Sequence, residues 1–256
     1  MMYKNIFDTH AHYDDKRFCE DSQELLSSFP DNGVSGVISC GVNAESSKAN
    51  IELAEKYPFI YAAVGYHGLN TEDVTDDYID ILTELIKHKK VVAIGEIGLD
   101  YHYERQTRNF QLEIFKRQIE FANKNNLPVI IHDREAHEDT MNILKELKPK
   151  GVMHCFSGSV EMAKEIVKLG MYIGLGGAVT FRNAVKPLEV AASVPEDRLL
   201  LETDAPYMTP VPFRGQRCTS LHIPYTAEKI AEVRGIDTQY LLDITDRNAR
   251  ELFSIK

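Results

Sequence analysis

Short apolar runs recur along the chain at regular intervals, without the alternation that marks strands exposed on one face. They cover Ile6 to Thr9, Val34 to Val42, Ile60 to Val64, Val91 to Ile94, Val129 to Ile131, Gly151 to Met153, Tyr172 to Leu175 and Leu199 to Leu201. Such runs predict parallel strands covered on both faces. Between them the period changes. Leu112, Phe115, Ile119 and Ala122 are spaced by 3, 4 and 3, with Glu113, Lys116, Arg117 and Glu120 on the opposite side, which predicts a helix. Ile79, Leu82 and Ile86 repeat the pattern within Asp76 to His88, and Met141, Leu144 and Leu147 do so ahead of Pro149. Two more helical patterns close the chain: Thr226 to Arg234, stopping at Gly235 as a C-cap, and Thr238 to Phe253.

Eight strands, most followed by a helix, in 256 residues match the size and order of an α/β (β/α)8 TIM barrel. An open doubly wound sheet is the rival architecture. The one Pro-rich stretch, Ala205 to Ser220, lies after the eighth strand, so residues 1–256 are expected to form a single domain. With 43% hydrophobic and 27% charged residues and no low-complexity block, the chain reads as an ordinary globular protein. Cys19, Cys40, Cys155 and Cys218 lie far apart, which argues against a zinc ribbon or a disulfide framework and fits a reducing cytoplasm. The N-terminus reaches Asp8 too soon for a secretory segment, and no apolar run approaches the roughly 20 residues of a spanning helix, so no membrane role is expected. A formal charge of −10 disfavours a general polyanion-binding face. Any phosphate substrate must then be attracted locally.

Candidate chemistry gathers where the strands end. His10 and His12 follow the first run, His67 the third, Glu96 the fourth, His132 the fifth, His154 the sixth and Asp204 the eighth. In an extended segment His10 and His12 point to the same side, so they could grip one ion together. In a barrel these residues share the C-terminal rim, where active sites assemble from several strand ends. Imidazoles and carboxylates are the ligands expected for zinc, manganese and related ions. Taken singly, His67 or His154 reads more readily as a hydrogen-bonded structural histidine, and Asp204 before Ala-Pro as a turn residue. A purely structural reading would need six separate reasons for six units. His88, His102, His137 and His222 fall in helices or loops and are read as solvated or locally bonded.

The segments DTHAH, AIGEIGLDY, VIIHDREA, HCFSGS, LLETDAPY and TDRNARELF, in this order, closely resemble the TatD family of metal-dependent hydrolases across practically the whole chain. The resemblance implies a (β/α)8 barrel, divalent-metal phosphoesterase chemistry and, for many members, DNase activity including 3′→5′ exonuclease action. It implies metal ligation by His10, His12, Glu96, His132, His154 and Asp204, with Glu96 between two metal positions. Two departures stand out: Gly68 follows His67 where members usually have proline, and Cys218 to Ser220 replaces a common Asn-x-Pro.

The expected enzyme is thus a two-metal phosphodiester hydrolase, most simply a deoxyribonuclease, using two Mg2+, Mn2+ or Zn2+ ions to activate a water. Asp204, with Glu96 as the other catalytic carboxylate, is the candidate for orienting that water and accepting its proton. Arg134, Arg214 and Arg217 could clasp phosphates of a DNA strand, the alternative being solvated surface arginines, and His67 is assigned to the phosphate-binding shell. No obligate protein partner is implied. The alternatives are a hydrolase of another substrate, such as an aminoacyl-tRNA deacylase or another ester or amide hydrolase, and a non-catalytic metal-binding scaffold, whose mark would be a missing ligand. A carbamylated-lysine bridge is excluded at the fourth strand because Glu96 stands there.

Overall fold

The computed structural model describes residues 3–103 and 107–256. Eight parallel strands follow one another in chain order around a single sheet: β1 (Ile6–Ala11), β2 (Val34–Cys40), β3 (Ile60–Val64), β4 (Val91–Asp100), β5 (Val129–Arg134), β6 (Gly151–Met153), β7 (Tyr172–Leu175) and β8 (Leu199–Leu201). The ring closes just past β8. There Asp204 N–H donates to His10 O at 2.9 Å, His12 N–H donates to Ala205 O at 2.7 Å, and Ala11 pairs with Ala205. The outer layer contains α1 (Ser22–Ser28), α2 (Ala44–Lys56), α3 (Tyr78–Leu85), α4 (Arg108–Lys124), α5 (His137–Leu147), α6 (Val160–Lys168), α7 (Val185–Ser193), α8 (Ile223–Arg234) and α9 (Thr238–Phe253). This is the (β/α)8 barrel that the apolar runs predict. No helix among the described residues is long and apolar enough to cross a membrane.

Strands β3, β6, β7 and β8 match the apolar runs residue for residue, whereas β4 and β5 continue past theirs to Asp100 and Arg134. Glu96 and His132 therefore lie inside strands rather than after them. Helix α2 escaped the periodicity because it buries Ser47, Asn50 and Ala54, small or polar residues that no hydrophobic count registers.

The strands are buried on both sides, and successive residues divide between two apolar clusters. Phe7, Ile38, Ala63, Ala93, Ile130, Val152, Tyr172 and Leu200 fill the barrel interior, closed at the bottom by Phe253 and Ile255. Their neighbours Ile6, Val37, Ala62, Ile94, Ile131, Met153, Ile173 and Leu201 pack under the helices. This alternation aims His132, two residues beyond Ile130, and His154, two beyond Val152, into the mouth of the barrel. For His10 and Glu96 it would fail, since each stands three residues past an inward side chain, Phe7 or Ala93. Register irregularities between Asp8 and Ala11 and between Ile94 and Ile97 restore the inward direction.

Candidate metal centre

Glu96 lies at the centre of the mouth, and its two carboxylate oxygens face different histidines. Oε2 lies 3.5 Å from His10 Nε2 and 3.4 Å from His12 Nε2. Oε1 lies 2.9 Å from His154 Nε2, 3.0 Å from His132 Nδ1 and 3.5 Å from His67 Nε2. Asp204 Oδ1 completes the ring 3.7 Å from His10 Nε2 and 3.6 Å from His12 Nε2. All seven side chains expected at the rim are thus brought together, and they form overlapping groups able to hold a cation: His10 with His12 and Glu96, His10 with His154 and Asp204, and His67 with Glu96 and His132.

The partners of the outer ring nitrogens decide which imidazoles can turn a lone pair inward and which present a proton. His12 Nδ1 is 2.9 Å from Cys40 O, and a carbonyl only accepts, so that nitrogen carries a proton and Nε2 can offer its lone pair inward. His132 Nε2 is 3.1 Å from Asp100 Oδ2, which leaves Nδ1 facing Glu96. His154 Nδ1 looks outward to Glu202 Oε1 at 3.6 Å, and its Nε2 faces inward. His10 Nδ1 lies 3.5 Å from the Cys40 thiol. Carboxylates and carbonyls behind imidazoles are the usual way proteins fix a metal-binding tautomer. His67 differs. Its Nδ1 accepts the Leu69 N–H at 3.0 Å, so in the neutral ring the proton resides on Nε2, which faces the cleft as a donor.

Fit to a cation follows from this donor set. His10 and His12 direct Nε2 atoms at each other across 3.1 Å, and the His10 ring stacks on His154 with centroids 3.8 Å apart. Burial pushes Glu96 up, but His67, His154 and His10 outweigh it and hold the carboxyl well below its usual range. Asp204 is likewise raised by burial and lowered more strongly by the His12 hydrogen bond and the nearby His10 and His154. Both carboxylates are therefore ionised. Against burial, Glu96 and Glu202 lift His154 to about 10, while Asp204 and Glu96 hold His12 well above the ordinary value. Burial pushes His10 and His67 down instead, so only part of the imidazole set draws protons toward the two carboxylates, a place divalent cations can take.

The cleft above the centre, of about 490 Å³, is lined by Glu96 and Asp204 together with His67, Arg134, Tyr103 and Tyr207. Arg134 thus reaches the site; Arg214 and Arg217 do not line it. Arg214 donates to Thr209 O at 2.9 Å and stacks on Phe181 at 3.9 Å. Arg217 bonds Arg17 O at 2.6 Å and clasps Asp21 with both terminal nitrogens. Local contacts thus hold both arginines away from the cleft wall: one terminal nitrogen of Arg214 is used by a carbonyl, and both of Arg217 are used by a carbonyl and a carboxylate. The segment that departs from the family pattern is anchored as well: Ser220 Oγ donates to Asp8 Oδ2 at 2.6 Å, and Ser220 N–H donates to Tyr13 OH at 2.8 Å. Gly68 has a steric reason, since a Cβ there would lie 2.7 Å from Gly98 O and 2.8 Å from Gln111 Oε1.

Sequence reasoning missed Cys40, Asp100, Glu202, Tyr103 and Tyr207. A signal existed for Asp100 and Glu202: carboxylates adjoining predicted ligand strands in GLD and LLETD. Of the four remaining histidines, His88, His102 and His137 pair locally with Glu55, Glu135 and Asp133, and His222 forms a capping box with Thr219.

Comparison with known proteins places the chain in a family. The chain is 43% identical over 253 residues to YabD of Bacillus subtilis, an uncharacterized metal-dependent hydrolase, covering 98% of this chain and 99% of that one. It is 33% identical over 259 residues to the 3′-5′ ssDNA/RNA exonuclease TatD of Escherichia coli K12, covering 98% and 99%. The crystal structure of the TatD homolog YjjV from Escherichia coli K12 superposes with a TM-score of 0.93 at 32% identity, covering 100% of both chains. Residues 7–254 match the family described as TatD related DNase. With the histidines and carboxylates of the resemblance gathered at one barrel mouth, the chain belongs to the TatD family of metal-dependent hydrolases.

Proposed function

We propose that this hydrolase removes nucleotides from the 3′ end of single-stranded DNA in the cytoplasm, holding two divalent ions, Mg2+, Mn2+ or Zn2+. The observation that carries the reading is the placement of Glu96, with one oxygen toward His10 and His12 and the other toward His132 and His154. His10, His12, His132, His154 and Asp204, together with Glu96, would hold the ions. When bound, such ions lower the pKa of water and neutralise charge on a phosphodiester.

The chain's own groups supply the rest. Asp204, ionised at the cleft wall, orients the attacking water and takes its proton as the water oxygen bonds to phosphorus; the opposite P–O bond, to the 3′ oxygen of the preceding nucleotide, breaks, and that oxygen leaves as a hydroxyl after taking a proton from solvent. His67 presents Nε2–H to a non-bridging phosphate oxygen, because its other nitrogen is committed to Leu69. Arg134 adds a guanidinium from the end of β5. The name borne by the related Escherichia coli protein, a 3′-5′ ssDNA/RNA exonuclease, supports the substrate and the polarity.

The test is turnover by metal-stripped protein resupplied with Mg2+, Mn2+ or Zn2+. Single-stranded DNA labelled at its 5′ end is offered beside RNA, nucleotides and aminoacyl-tRNA. Metal-dependent shortening of the DNA one nucleotide at a time from the 3′ end is expected. Hydrolysis of aminoacyl-tRNA with the DNA intact would overturn the reading.

A further inference from the structure

Tyr103 and Tyr207 are large aromatic side chains left 45% and 48% exposed, and both line the cleft. The other exposed large apolar residues among those described, Val185, Val211, Tyr225 and Tyr240, do not line it. Tyr103 follows β4 and Tyr207 follows β8. In a closed ring of eight strands in chain order, β4 and β8 are half a turn apart, so the two tyrosines enter the cleft that Glu96 also lines from strand ends on opposite sides of the ring. Each carries an arginine from a neighbouring unit. Arg134, at the end of β5, lies over the Tyr103 ring at 5.0 Å, and Arg17, in the segment after β1, lies over the Tyr207 ring at 4.0 Å. Arg17 is itself held by Asp15 through two hydrogen bonds of 2.9 and 2.7 Å.

We infer that these tyrosine–arginine pairs are two nucleobase-stacking subsites that grip the bases on either side of the scissile phosphate of a single strand. The inference rests on the proposed nuclease reading and extends it to the groups that provide affinity. Charge is poorly suited to that task here. The chain carries −10, Asp14 and Asp15 stand on the cleft wall, and Arg214 and Arg217 are committed elsewhere. Stacking on an aromatic face needs no net charge and tolerates any base, because every base has a π-face. An arginine on the ring stiffens the platform and adds cation–π attraction. A duplex, whose bases already stack on one another, cannot use both platforms without unpairing.

Two measurements test this with wild type, Tyr103→Ala, Tyr207→Ala, the double variant and the matching Tyr→Phe variants. In chelator, where no cleavage occurs, single-stranded oligonucleotides carrying 2-aminopurine at the last or penultimate 3′ position are titrated and quenching is read. Wild type and both Phe variants should quench. Each Ala variant should lose quenching at one position, with affinity weakened about tenfold, which is about 1.4 kcal/mol. With metal restored, KM for a normal oligonucleotide should rise by the same factor in each Ala variant. KM for an oligonucleotide with abasic residues at these two positions should be equal in all variants. Equal quenching and KM in wild type and both Ala variants would overturn the stacking subsites. Cleavage of normal and abasic strands with equal KM by wild type would do the same while leaving the nuclease reading intact. Quenching that depends on the tyrosines, with no hydrolysis under any metal, would instead sink the nuclease reading and keep the base sites.

Discussion

Asp100→Asn isolates the link between the carboxylate behind His132 and the lone pair in front of it. Asp100 is 1% exposed and divides its oxygens between two tasks. Oδ1 accepts the backbone N–H groups of His102 at 3.0 Å and Tyr103 at 3.3 Å, and Oδ2 sits 3.1 Å from His132 Nε2. An asparagine amide has one oxygen, and two backbone donors already require it. Its NH2 must then face His132 Nε2 and donate to it, which puts the imidazole proton on Nδ1, the atom directed at Glu96. Binding a cation through Nδ1 would require the opposite tautomer and set N–H against N–H. Losing such a partner weakens metal affinity roughly 10- to 100-fold, and the buried mismatch places this case near the upper end. Competition with a fluorescent chelator on metal-stripped protein reads the affinity at each site. Weakening confined to the ion held by His132 is expected, with the His10–His12 position unchanged. Wild-type affinity at both positions, or equal loss at both, would refute the tautomer reasoning.

Asp204→Asn should fold normally, because Asp204 has a φ of 59° and asparagine tolerates that left-handed conformation, yet kcat should fall about 100-fold or more with loss of the proton acceptor; circular dichroism and steady-state kinetics check both parts. His67→Ala should leave the metal count by elemental analysis unchanged while raising KM for a phosphodiester, since His67 faces the cleft as a donor. Arg214→Ala and Arg217→Ala should leave KM unchanged, whereas Arg134→Ala should raise it, as only the last lines the cleft. In metal-free protein, His154 is raised to about 10 and His12 is also held above its unfolded value, so between pH 7 and 10 unfolding releases protons. Their contribution is present in full below the unfolded value and is lost as pH rises through the folded one, with a slope of about 1.4 kcal/mol per pH unit per proton. Metal binding requires deprotonated imidazoles and strengthens with pH, so the rise in melting temperature on adding metal should grow across the same window.

Most of the barrel was legible because parallel strands buried on both faces write continuous apolar runs, and β3, β6, β7 and β8 ended where those runs ended. The candidate ligands were legible because each stands at or shortly after the end of an apolar run, although Glu96 proves to lie within β4. Less visible was the path by which His10 and Glu96 face inward, since the chain breaks register to turn them and alternation alone would send them outward. Partners distant in sequence were also hidden. Nothing near Arg217 shows that Asp21, 196 residues earlier, will clasp it, nor near His154 that Glu202 will stand behind its ring. Tyr103 and Tyr207 look like ordinary loop tyrosines until the fold brings them into one cleft from strand ends on opposite sides of the ring.

Anomalous diffraction from crystals of the metal-loaded protein, recorded at the absorption edge of the bound metal, tests the centre most directly. Two ions per chain are expected, one contacting His10 and His12 and the other His132, with Glu96 contacting both. A single ion under saturating metal, or ions bound away from Glu96 and the inward nitrogens of His10, His12 and His132, would contradict the two-metal centre.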